Sequence, residues 1–327
     1  MTRKQKIRFV NLDTIEPREV EWLWEPLIPF GMITIMEGDP GVGKSFLAMH
    51  IASRVSTGGE LPEGQKLERG CVLYLSAEDD AAYTIRPRID AMGGDPTRIR
   101  IQGDFLSFDE DGLNAVQREV KRNPPDLIIL DPLFAYIPSS QDMYRPNVIR
   151  QLLSFLKEIA EDGSTAVLII RHLTKAKQDK AIYRGGGSMD VIGAARSAFL
   201  VCDHPNQSST KLVVHIKHNI AVRGQTLCYE IQGEKGGVAT LNWLGSSDIT
   251  IDDLVSSEVG AGTSALDEAI QFLRSFLKDG PVATIKVQEE AAARGISVKT
   301  LERARQSVRV KSKKKRSKWF LSLPDEE

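Results

Sequence analysis

The chain has 327 residues, of which 41% are hydrophobic and 27% are charged, with a formal net charge of −1 at pH 7. This length suggests about two domains, and the hydrophobic fraction is sufficient for a core. A net charge near zero gives the whole chain no electrostatic bias toward nucleic acid, so such a contact would need a local basic cluster. No run reaches the roughly 18 apolar residues of a membrane-spanning helix, and we expect a soluble cytoplasmic protein with no membrane partner.

The three cysteines, Cys71, Cys202 and Cys228, are an odd number and widely spaced. Cys71 and Cys202 lie in apolar runs, so we expect both to be buried free thiols in a reducing compartment. Their spacing is not that of a metal site.

A glycine-rich loop follows the first predicted core strand. The apolar run Met32–Met36 predicts a buried strand, and Phe46–Val55 has helical spacing. Between them stands GDPGVGKS, residues 38–45, which fits the phosphate-loop pattern G-x-x-x-x-G-K-[ST] with no mismatch. Backbone N–H groups of such a loop turn inward to hold phosphate oxygens, and the helix N-terminus adds partial positive charge.

This loop predicts ATP and Mg²⁺ as ligands. Lys44 would reach the β- and γ-phosphates, and Ser45 would place its hydroxyl on Mg²⁺. The predicted nucleotide-binding residues are Gly38, Asp39, Pro40, Gly41, Val42, Gly43, Lys44, Ser45 and Phe46. Trp22 and Trp24, in the strap that precedes the first strand, have two interpretations: they pack beside the base, or they cover the edge of the sheet.

Apolar runs then alternate with helical patterns. Strands are predicted at residues 71–75, 98–102, 127–130 and 166–170, and helices at 81–92, 113–120 and 148–160. Continuous apolar strands that alternate with helices predict a parallel sheet covered on both faces. From Ser197 the pattern changes, and four consecutive strands, 199–202, 211–217, 227–231 and 238–243, predict an antiparallel extension of the sheet.

Asp131 directly follows the predicted strand 127–130. A carboxylate there would hold the Mg²⁺ shell, opposite Ser45. The next residue is Pro132, at the position where many phosphate-loop ATPases have the glutamate that activates water. The general base must therefore come from elsewhere.

Glu78 follows another predicted core strand. Because the carboxyl ends of parallel strands converge on the ligand crevice, we predict that Glu78 is the general base. The alternative is that the acids at 78–80 cap the helix that begins near Ala81, and we expect capping for Asp79 or Asp80.

His172 lies at the end of a further core strand, where a polar side chain would sense the γ-phosphate; alternatively it is an ordinary surface residue. The segment 174–188 is basic and directly downstream. Its Lys175, Lys177 and Arg184 predict a contact with the DNA backbone that depends on nucleotide state, although a solvated loop would use the same residues.

Arg196 and Lys217 are candidates for a positive charge supplied to a neighbouring subunit's site. Oligomeric ATPases often complete the site in this way. Each of the two residues has an ordinary surface ion pair as its alternative interpretation.

The C-terminal part begins after a stretch rich in Ser, Gly and Asp. Three helices are predicted there, at 266–277, 285–294 and 298–307, with Ser297 as the N-cap of the third and a two-stranded wing over 308–323. Between Lys299 and Lys318 there are ten Lys or Arg and one acid. A basic third helix and wing predict a DNA-binding winged helix. The candidate contacts are Lys299, Arg303, Lys313 and Lys315. A basic tail that serves solubility or contacts RNA is the alternative.

The motifs GDPGVGKS, LYLSAEDD, LIILDPL and LIIRHLTK, in this order, resemble the RecA-like core of the hexameric RepA plasmid helicases and of related AAA-type ATPases of phages and mobile elements. The resemblance covers about residues 20–243. It implies that Glu78 is the catalytic base, Asp131 the Mg²⁺-linked carboxylate, His172 the γ-phosphate sensor and Arg196 the finger. Lys217, in HIKHN, is similar to the basic position of DnaB-like helicases.

The same resemblance implies a homo-hexamer with single-stranded DNA in its channel, lined by the loops after the third and fourth motifs. The C-terminal part departs from the smallest members, which lack a winged helix. It is similar to the helicase-type ATPases of integrated elements, often encoded beside primase functions, which implies a primase or other replication proteins as partners. The departure leaves open whether the protein unwinds DNA processively or loads other proteins.

We therefore expect an α/β fold: a RecA-like P-loop core with a mostly parallel sheet, helices on both faces and an antiparallel extension, plus a small winged-helix domain. The expected organisation is a strap (1–30), an ATPase domain (31–244), a linker (245–263) and a winged-helix-like domain (264–327).

The expected function is an ATP-hydrolysing, oligomeric, DNA-translocating or helicase-like replication protein of a mobile element. An ATP-gated DNA-binding switch without unwinding, such as a regulator or recombination mediator, is one alternative. A RecA-like signalling ATPase that does not bind DNA is another, and the basic C-terminal stretch argues against it.

Overall fold

Two units of structure follow one another along the chain, Met1–Ile251 and Asp252–Glu327. The computed structural model describes residues 9–138, 146–173, 188–233, 237–254, 265–278, 280–308, 310–315 and 318–324.

The first unit contains strands and helices in alternation. Its strands are β1 (Trp22–Trp24), β2 (Ile28–Pro29), β3 (Ile33–Gly38), β4 (Glu60–Leu61), β5 (Gln65–Lys66), β6 (Val72–Ser76), β7 (Ile99–Ile101), β8 (Leu127–Asp131), β9 (Ala166–His172), β10 (Ser197–His204), β11 (Gln207–His218), β12 (Thr226–Gln232) and β13 (Thr240–Ser247). Its helices are α1 (Lys44–Thr57), α2 (Arg86–Ala91), α3 (Glu110–Arg122), α4 (Pro146–Gly163) and α5 (Ser188–Ala194).

A nine-stranded sheet dominates the described part of this unit, in the order β13-β12-β11-β10-β3-β9-β8-β6-β7. The six strands from β10 to β7 are parallel, and β11, β12 and β13 continue the sheet in antiparallel pairing. The central strands β3 and β8 are buried along their whole length, as expected for a sheet covered on both faces. The predicted α/β fold with its antiparallel extension is confirmed.

The register of the parallel strands positions the candidate site. Gly38 pairs with His172 across β3 and β9, and Ser76 pairs with Asp131 across β6 and β8. The carboxyl ends of these four strands therefore meet at one edge of the sheet.

The strap contributes one of its two tryptophans, Trp24, to the core. The Trp24 ring is buried and makes edge-to-face contacts with Phe199 and Trp243, at centroid distances of 6.5 and 5.8 Å. These contacts support the interpretation that the ring covers the sheet.

The three cysteines are free thiols, but only Cys228 is fully buried. The prediction that Cys71 and Cys202 are buried was wrong, because both lie near strand ends and are half-buried.

Helix α3 is longer than its apolar pattern predicts, since the pattern spans only 113–120. Its first turn is polar and is capped by Asp109, whose carboxylate accepts a hydrogen bond from the Gly112 N–H at 3.0 Å. The cap, rather than the hydrophobic period, determines where this helix begins.

The second unit contains α6 (Ala265–Phe276), β14 (Val282–Ala283), α7 (Thr284–Ala293), α8 (Val298–Ser307), β15 (Lys311–Lys315) and β16 (Lys318–Ser322). The strands pair antiparallel in the order β14-β16-β15. Its core includes Phe272, Leu273, Val287, Leu301 and Leu321.

Three helices and a terminal hairpin were predicted in this unit and are confirmed. Ser297 caps α8, its hydroxyl accepting from the Thr300 N–H at 3.2 Å. The strand β14 was not predicted, because two residues are too few to show the alternation of apolar and polar side chains that indicates a strand. None of the helices in the described ranges combines the length and apolar character needed to cross a bilayer.

A buried ion pair joins the two central strands of the main sheet. Glu37 on β3 pairs in register with Arg171 on β9, and their side chains are 1% and 0% exposed. Arg171 Nε donates to Glu37 Oε2 at 2.9 Å. Burial raises the pKa of Glu37, while the Arg171 charge opposes that effect. Neither strand end can move without disturbing this pair.

We expect Arg171→Met to lower the free energy of unfolding by about 3–5 kcal/mol, because the Glu37 carboxylate would stay buried without its cation. Urea denaturation at neutral pH measures the change. The double variant Glu37→Gln/Arg171→Met removes both charges and should lie closer to the wild type. A double variant less stable than the single one would contradict the prediction.

Candidate nucleotide-binding site

The glycine loop lies between β3 and α1 and requires glycine at two positions, at Gly38 because of close packing and at Gly43 because of its φ of +95°. A Cβ on Gly38 would stand 2.1 Å from the Val201 carbonyl oxygen, and one on Gly43 would stand 2.8 Å from Ile231 Cδ1. Gly41 has a φ of +83° with no atom within 4 Å of its Cβ position. The loop is thus pressed against β10 and β12 at its ends and is open at its centre, where a ligand would approach the backbone.

Lys44 is buried at the start of α1 and reaches back over the loop. Its Nζ donates to the carbonyl oxygens of Gly38 at 2.8 Å and Asp39 at 2.7 Å. Burial lowers the pKa of Lys44 to about 8, while the charges of Asp131, Asp39 and Glu78 oppose this shift. Phosphate oxygens are stronger acceptors than these carbonyls and would replace them as partners.

Asp131 lies buried at the end of β8 between two hydroxyl groups. The Tyr74 hydroxyl donates to Asp131 Oδ2 at 2.9 Å, and Ser45 also forms a side-chain hydrogen bond with this carboxylate. Burial raises the pKa of Asp131, and the bonds from Ser45 and Tyr74 counteract the increase. Tyr74 therefore orients the carboxylate toward the loop.

Sequence reasoning missed Tyr74 because it stands inside the apolar strand Val72–Ser76 and resembles a core residue. Only the pairing of β6 with β8 brings its hydroxyl to Asp131. No local pattern carries that information.

The oxygen groups of Ser45 and Asp131 fit a magnesium ion, which prefers hard oxygen ligands and keeps several waters. Within the described ranges, no group of three or more His, Cys, Asp or Glu forms a metal site. The remaining ligands would be phosphate oxygens and water, as is usual for magnesium bound with a nucleotide.

Glu78 and His172 face each other at the mouth of the crevice. The Ala77 N–H donates to the Asp131 carbonyl at 3.0 Å, which ties the end of β6 to β8. The Glu78 side chain is 62% exposed, with its Oε2 3.7 Å from His172 Nε2. On the other side, the Leu173 N–H donates to the Gly38 carbonyl at 3.2 Å. The structure thus brings Lys44, Glu78, Asp131 and His172 to one crevice, and their chemical roles stay predictions.

The two other acids of the 78–80 run have different partners. The Asp80 carboxylate accepts from the N–H groups of Ala82 and Tyr83, both at 2.8 Å. It therefore caps the helical segment Ala81–Ile85, which leads into α2, and the predicted cap is confirmed at this residue. Asp79 lies 3.8 Å from Arg88, whose guanidinium stands 4.1 Å from the centroid of the Phe46 ring. Phe46 is therefore a packing partner of α2 beside the phosphate loop.

The structure does not bring Arg196 and Lys217 to this crevice. The Arg196 N–H donates to the Ile33 carbonyl, at the amino end of β3. Five residue steps along β3, from Ile33 to Gly38, separate the Arg196 backbone from the loop by roughly 17 Å, at about 3.3 Å per residue. Lys217 donates to the carbonyls of Ile192 and Gly193, and its pKa is lowered by burial and by the nearby Arg196 charge. The two cations are neighbours at the opposite edge of the sheet.

The predicted DNA contacts are distributed over both units. Lys175, Lys177 and Arg184 lie outside the described residues, as do the side chains of Lys299 and Lys315. Arg303 on α8 and Lys313 on β15 are exposed.

We expect Tyr74→Phe to weaken nucleotide binding in the presence of magnesium about tenfold, because a buried carboxylate oxygen loses its donor at a cost of about 1–3 kcal/mol. Binding of nucleotide without magnesium should change less than about twofold. Titration with a fluorescent ADP, with and without the ion, measures both.

Tyr136→Phe is the matched control, since this buried tyrosine bonds to Gln102 and not to Asp131. If Tyr74→Phe weakens the binding of metal-bound and metal-free nucleotide equally, Tyr74 does not act by orienting Asp131 toward the metal.

We expect ATP affinity to decrease as the pH rises above about 8, because Lys44 is then neutral in the free protein and must take up a proton to bind phosphate. The dissociation constant should increase by up to about tenfold per pH unit toward the ordinary lysine pKa of 10.5. Equilibrium binding across this range is the measurement, and Lys44→Met should bind weakly with a flat profile. A flat wild-type profile would refute the proton uptake.

Comparisons with known proteins identify a matching family and several relatives. A family model described as AAA domain matches residues 2–178, more than half of the chain. DNA repair protein RadA of Streptococcus pneumoniae is 27% identical over 147 residues, which cover 44% of this chain and 31% of the relative. RadA of Listeria monocytogenes is 27% identical over 148 residues, and RadA of Mycobacterium tuberculosis is 28% identical over 147. Both of these matches cover 44% of this chain and 28% of the relative.

The chain thus matches only 28–31% of the length of these curated relatives. The matched family model includes the phosphate loop, Glu78, Asp131 and His172. The chain therefore belongs to the AAA domain family and has the fold of a RecA-like P-loop ATPase.

Proposed function

We propose that this protein hydrolyses ATP and couples the cycle to DNA as an oligomeric, helicase-like or translocating replication protein of a mobile element. The observation that carries the proposal is the single crevice at which Lys44, Glu78, Asp131 and His172 meet. Each comes from a different strand end or loop of one parallel sheet, the usual location of ligand sites in such folds.

In the proposed reaction Lys44 holds the β- and γ-phosphates in place of the carbonyls of Gly38 and Asp39. Glu78 accepts a proton from the attacking water, for which its exposed carboxylate is accessible. Ser45 and Asp131 would hold magnesium, which would neutralise charge on the phosphate oxygens when bound.

His172 is the proposed γ-phosphate sensor, because it stands 3.7 Å from Glu78 and next to the end of the phosphate-loop strand. The chain continues directly from His172 and Leu173 into residues 174–187. A shift of His172 after phosphate release would therefore be transmitted to Lys175, Lys177 and Arg184, the proposed contacts with single-stranded DNA in a channel.

The proposed assembly is a homo-hexameric ring, which is what the family resemblance implies. Arg196 and Lys217 lie at the amino edge of the sheet, too far from their own phosphate loop to act there. A neighbouring subunit's loop is the site that these cations would serve. The distance between these two cations and their own phosphate loop supports catalysis at an interface between copies of the chain.

The second unit is the proposed winged-helix domain for duplex DNA. Its order, helix, strand, helix, helix and hairpin, together with ten cations against one acid between Lys299 and Lys318, supports this role. Arg303 and Lys313 are exposed on the third helix and the hairpin, where they would meet phosphates. A primase or another replication protein is the proposed partner.

The second candidate function is an ATP-gated DNA-binding switch, such as a recombination mediator, that does not unwind DNA. It is favoured by the relatives, which are DNA repair proteins. A strand-displacement assay with hydrolysable ATP distinguishes the two functions, since only the motor separates strands.

We expect ATP turnover by the wild type to increase when single-stranded DNA is added. Glu78→Gln should lower the turnover about 10²–10⁴-fold, since it removes the general base, and leave ATP affinity nearly unchanged. Phosphate release and equilibrium nucleotide binding are the two measurements.

Asp79→Asn is the matched control, because this adjacent acid faces Arg88 and should retain most activity. If DNA does not change the rate of ATP turnover, the motor function is wrong. If Glu78→Gln turns over ATP at the wild-type rate, another residue is the general base.

A further inference from the structure

A groove of about 700 Å³ lies in the second unit, between the start of α7 and the hairpin β15–β16. Ile285 and Trp319 form apolar walls, and Lys286 and Arg305 contribute positive charge. Glu289 is the one acid among the described residues that line it. The groove thus combines an aromatic surface with an excess of cations.

Trp319 projects into this groove instead of completing the core. Leu321, two residues further along β16, is 1% exposed, whereas Trp319 on the same face is 53% exposed. Ile285, across the groove, is 65% exposed. Lys314 is the cross-strand partner of Trp319, so its side chain points to the same face. Trp319 and Ile285 therefore present apolar surface to solvent beside the cations of the groove.

The polar groups of the groove lack partners that an anion would supply. Helix α7 begins at Thr284 after Ala283, which provides no side-chain cap. The Thr284 hydroxyl is buried without a hydrogen-bond partner among the described residues. Across those same residues, no ion pair engages Lys286 or Arg305. A phosphate group would match these two cations and the uncapped helix start.

We propose that this groove binds an unpaired nucleotide of single-stranded DNA, with the base stacked on Trp319 and a phosphate near Lys286 and Arg305. The planar base would match the apolar walls of the groove, and the adjacent phosphate would match its cations. An apolar peptide would match the walls but would leave the cations without a counter-charge. The inference rests on the proposed function and adds a site for single-stranded DNA to the second unit.

The location also separates two kinds of DNA contact. Lys313 pairs with Phe320, whose side chain alternates with that of Trp319 along β16, so Lys313 lies on the other face of the hairpin. Duplex DNA at Arg303 and Lys313 and an unpaired strand at Trp319 would together select a junction between double and single strands.

The test uses the full chain and two fluorescent DNAs of equal length, oligothymidine and a blunt duplex. We expect Trp319→Ala to weaken binding of oligothymidine about tenfold, the effect of losing one base–aromatic stack, and to leave duplex binding within about twofold. Phe105→Ala removes a 92% exposed aromatic ring of the first unit and should change neither affinity. Arg303→Ala should weaken duplex binding.

A second readout is the tryptophan fluorescence itself. Oligothymidine should quench the wild type, and Trp319→Phe should abolish that change although Trp22, Trp24 and Trp243 remain. Because Trp319 is half exposed, these variants should fold, and a thermal melt verifies this.

Wild-type affinity for oligothymidine in Trp319→Ala, or equal losses on both DNAs, would overturn the inference. If the wild type still shows DNA-stimulated turnover and duplex binding in that case, the proposed function survives and only the groove assignment fails. A wild type that binds neither DNA would overturn both.

Discussion

Parallel pairing of β3, β9, β8 and β6 is the constraint on which the rest of this molecule depends. In a parallel sheet the carboxyl ends of neighbouring strands meet at one edge. The register pairs Gly38 with His172 and Ser76 with Asp131, so the phosphate loop and the three candidate side chains after these strands share one crevice. A slip of one residue between two of these strands would turn the side chains to opposite faces.

Buried polar contacts hold this arrangement where apolar packing alone would allow alternatives. The Glu37–Arg171 pair locks β3 to β9 one residue before Gly38 and His172. The Tyr74–Asp131 hydrogen bond does the same for β6 and β8. Each contact is costly to break, because a buried polar group without its partner keeps its desolvation penalty. The groups that would handle phosphate are thereby preorganised before a nucleotide binds.

The two edges of the main sheet have different chemistry. The carboxyl edge has acids, a buried lysine and the open centre of the glycine loop. The amino edge has Arg196 and Lys217, whose charges are close enough to depress the lysine pKa. In the proposed assembly the copies would associate head to tail, so that one copy presents these cations to the phosphates bound by the next.

Local patterns were sufficient for the phosphate loop and for the longer strands and helices of both units, although they missed the two-residue strands and the first turn of α3. They also placed Asp131 and His172 at strand ends, because a polar residue that follows an apolar run is visible within a few positions. Sequence by itself therefore determined the fold class and nominated the candidate residues, whose chemical roles stay predictions. The tertiary structure alone decided that Tyr74 orients Asp131, that Glu37 meets Arg171 across 134 positions, and that Arg196 and Lys217 stand at the far edge. Those facts depend on the order of the strands in the sheet. That order arises from pairing between segments that are distant in the chain, and the local hydrophobic pattern contains no information about such pairing.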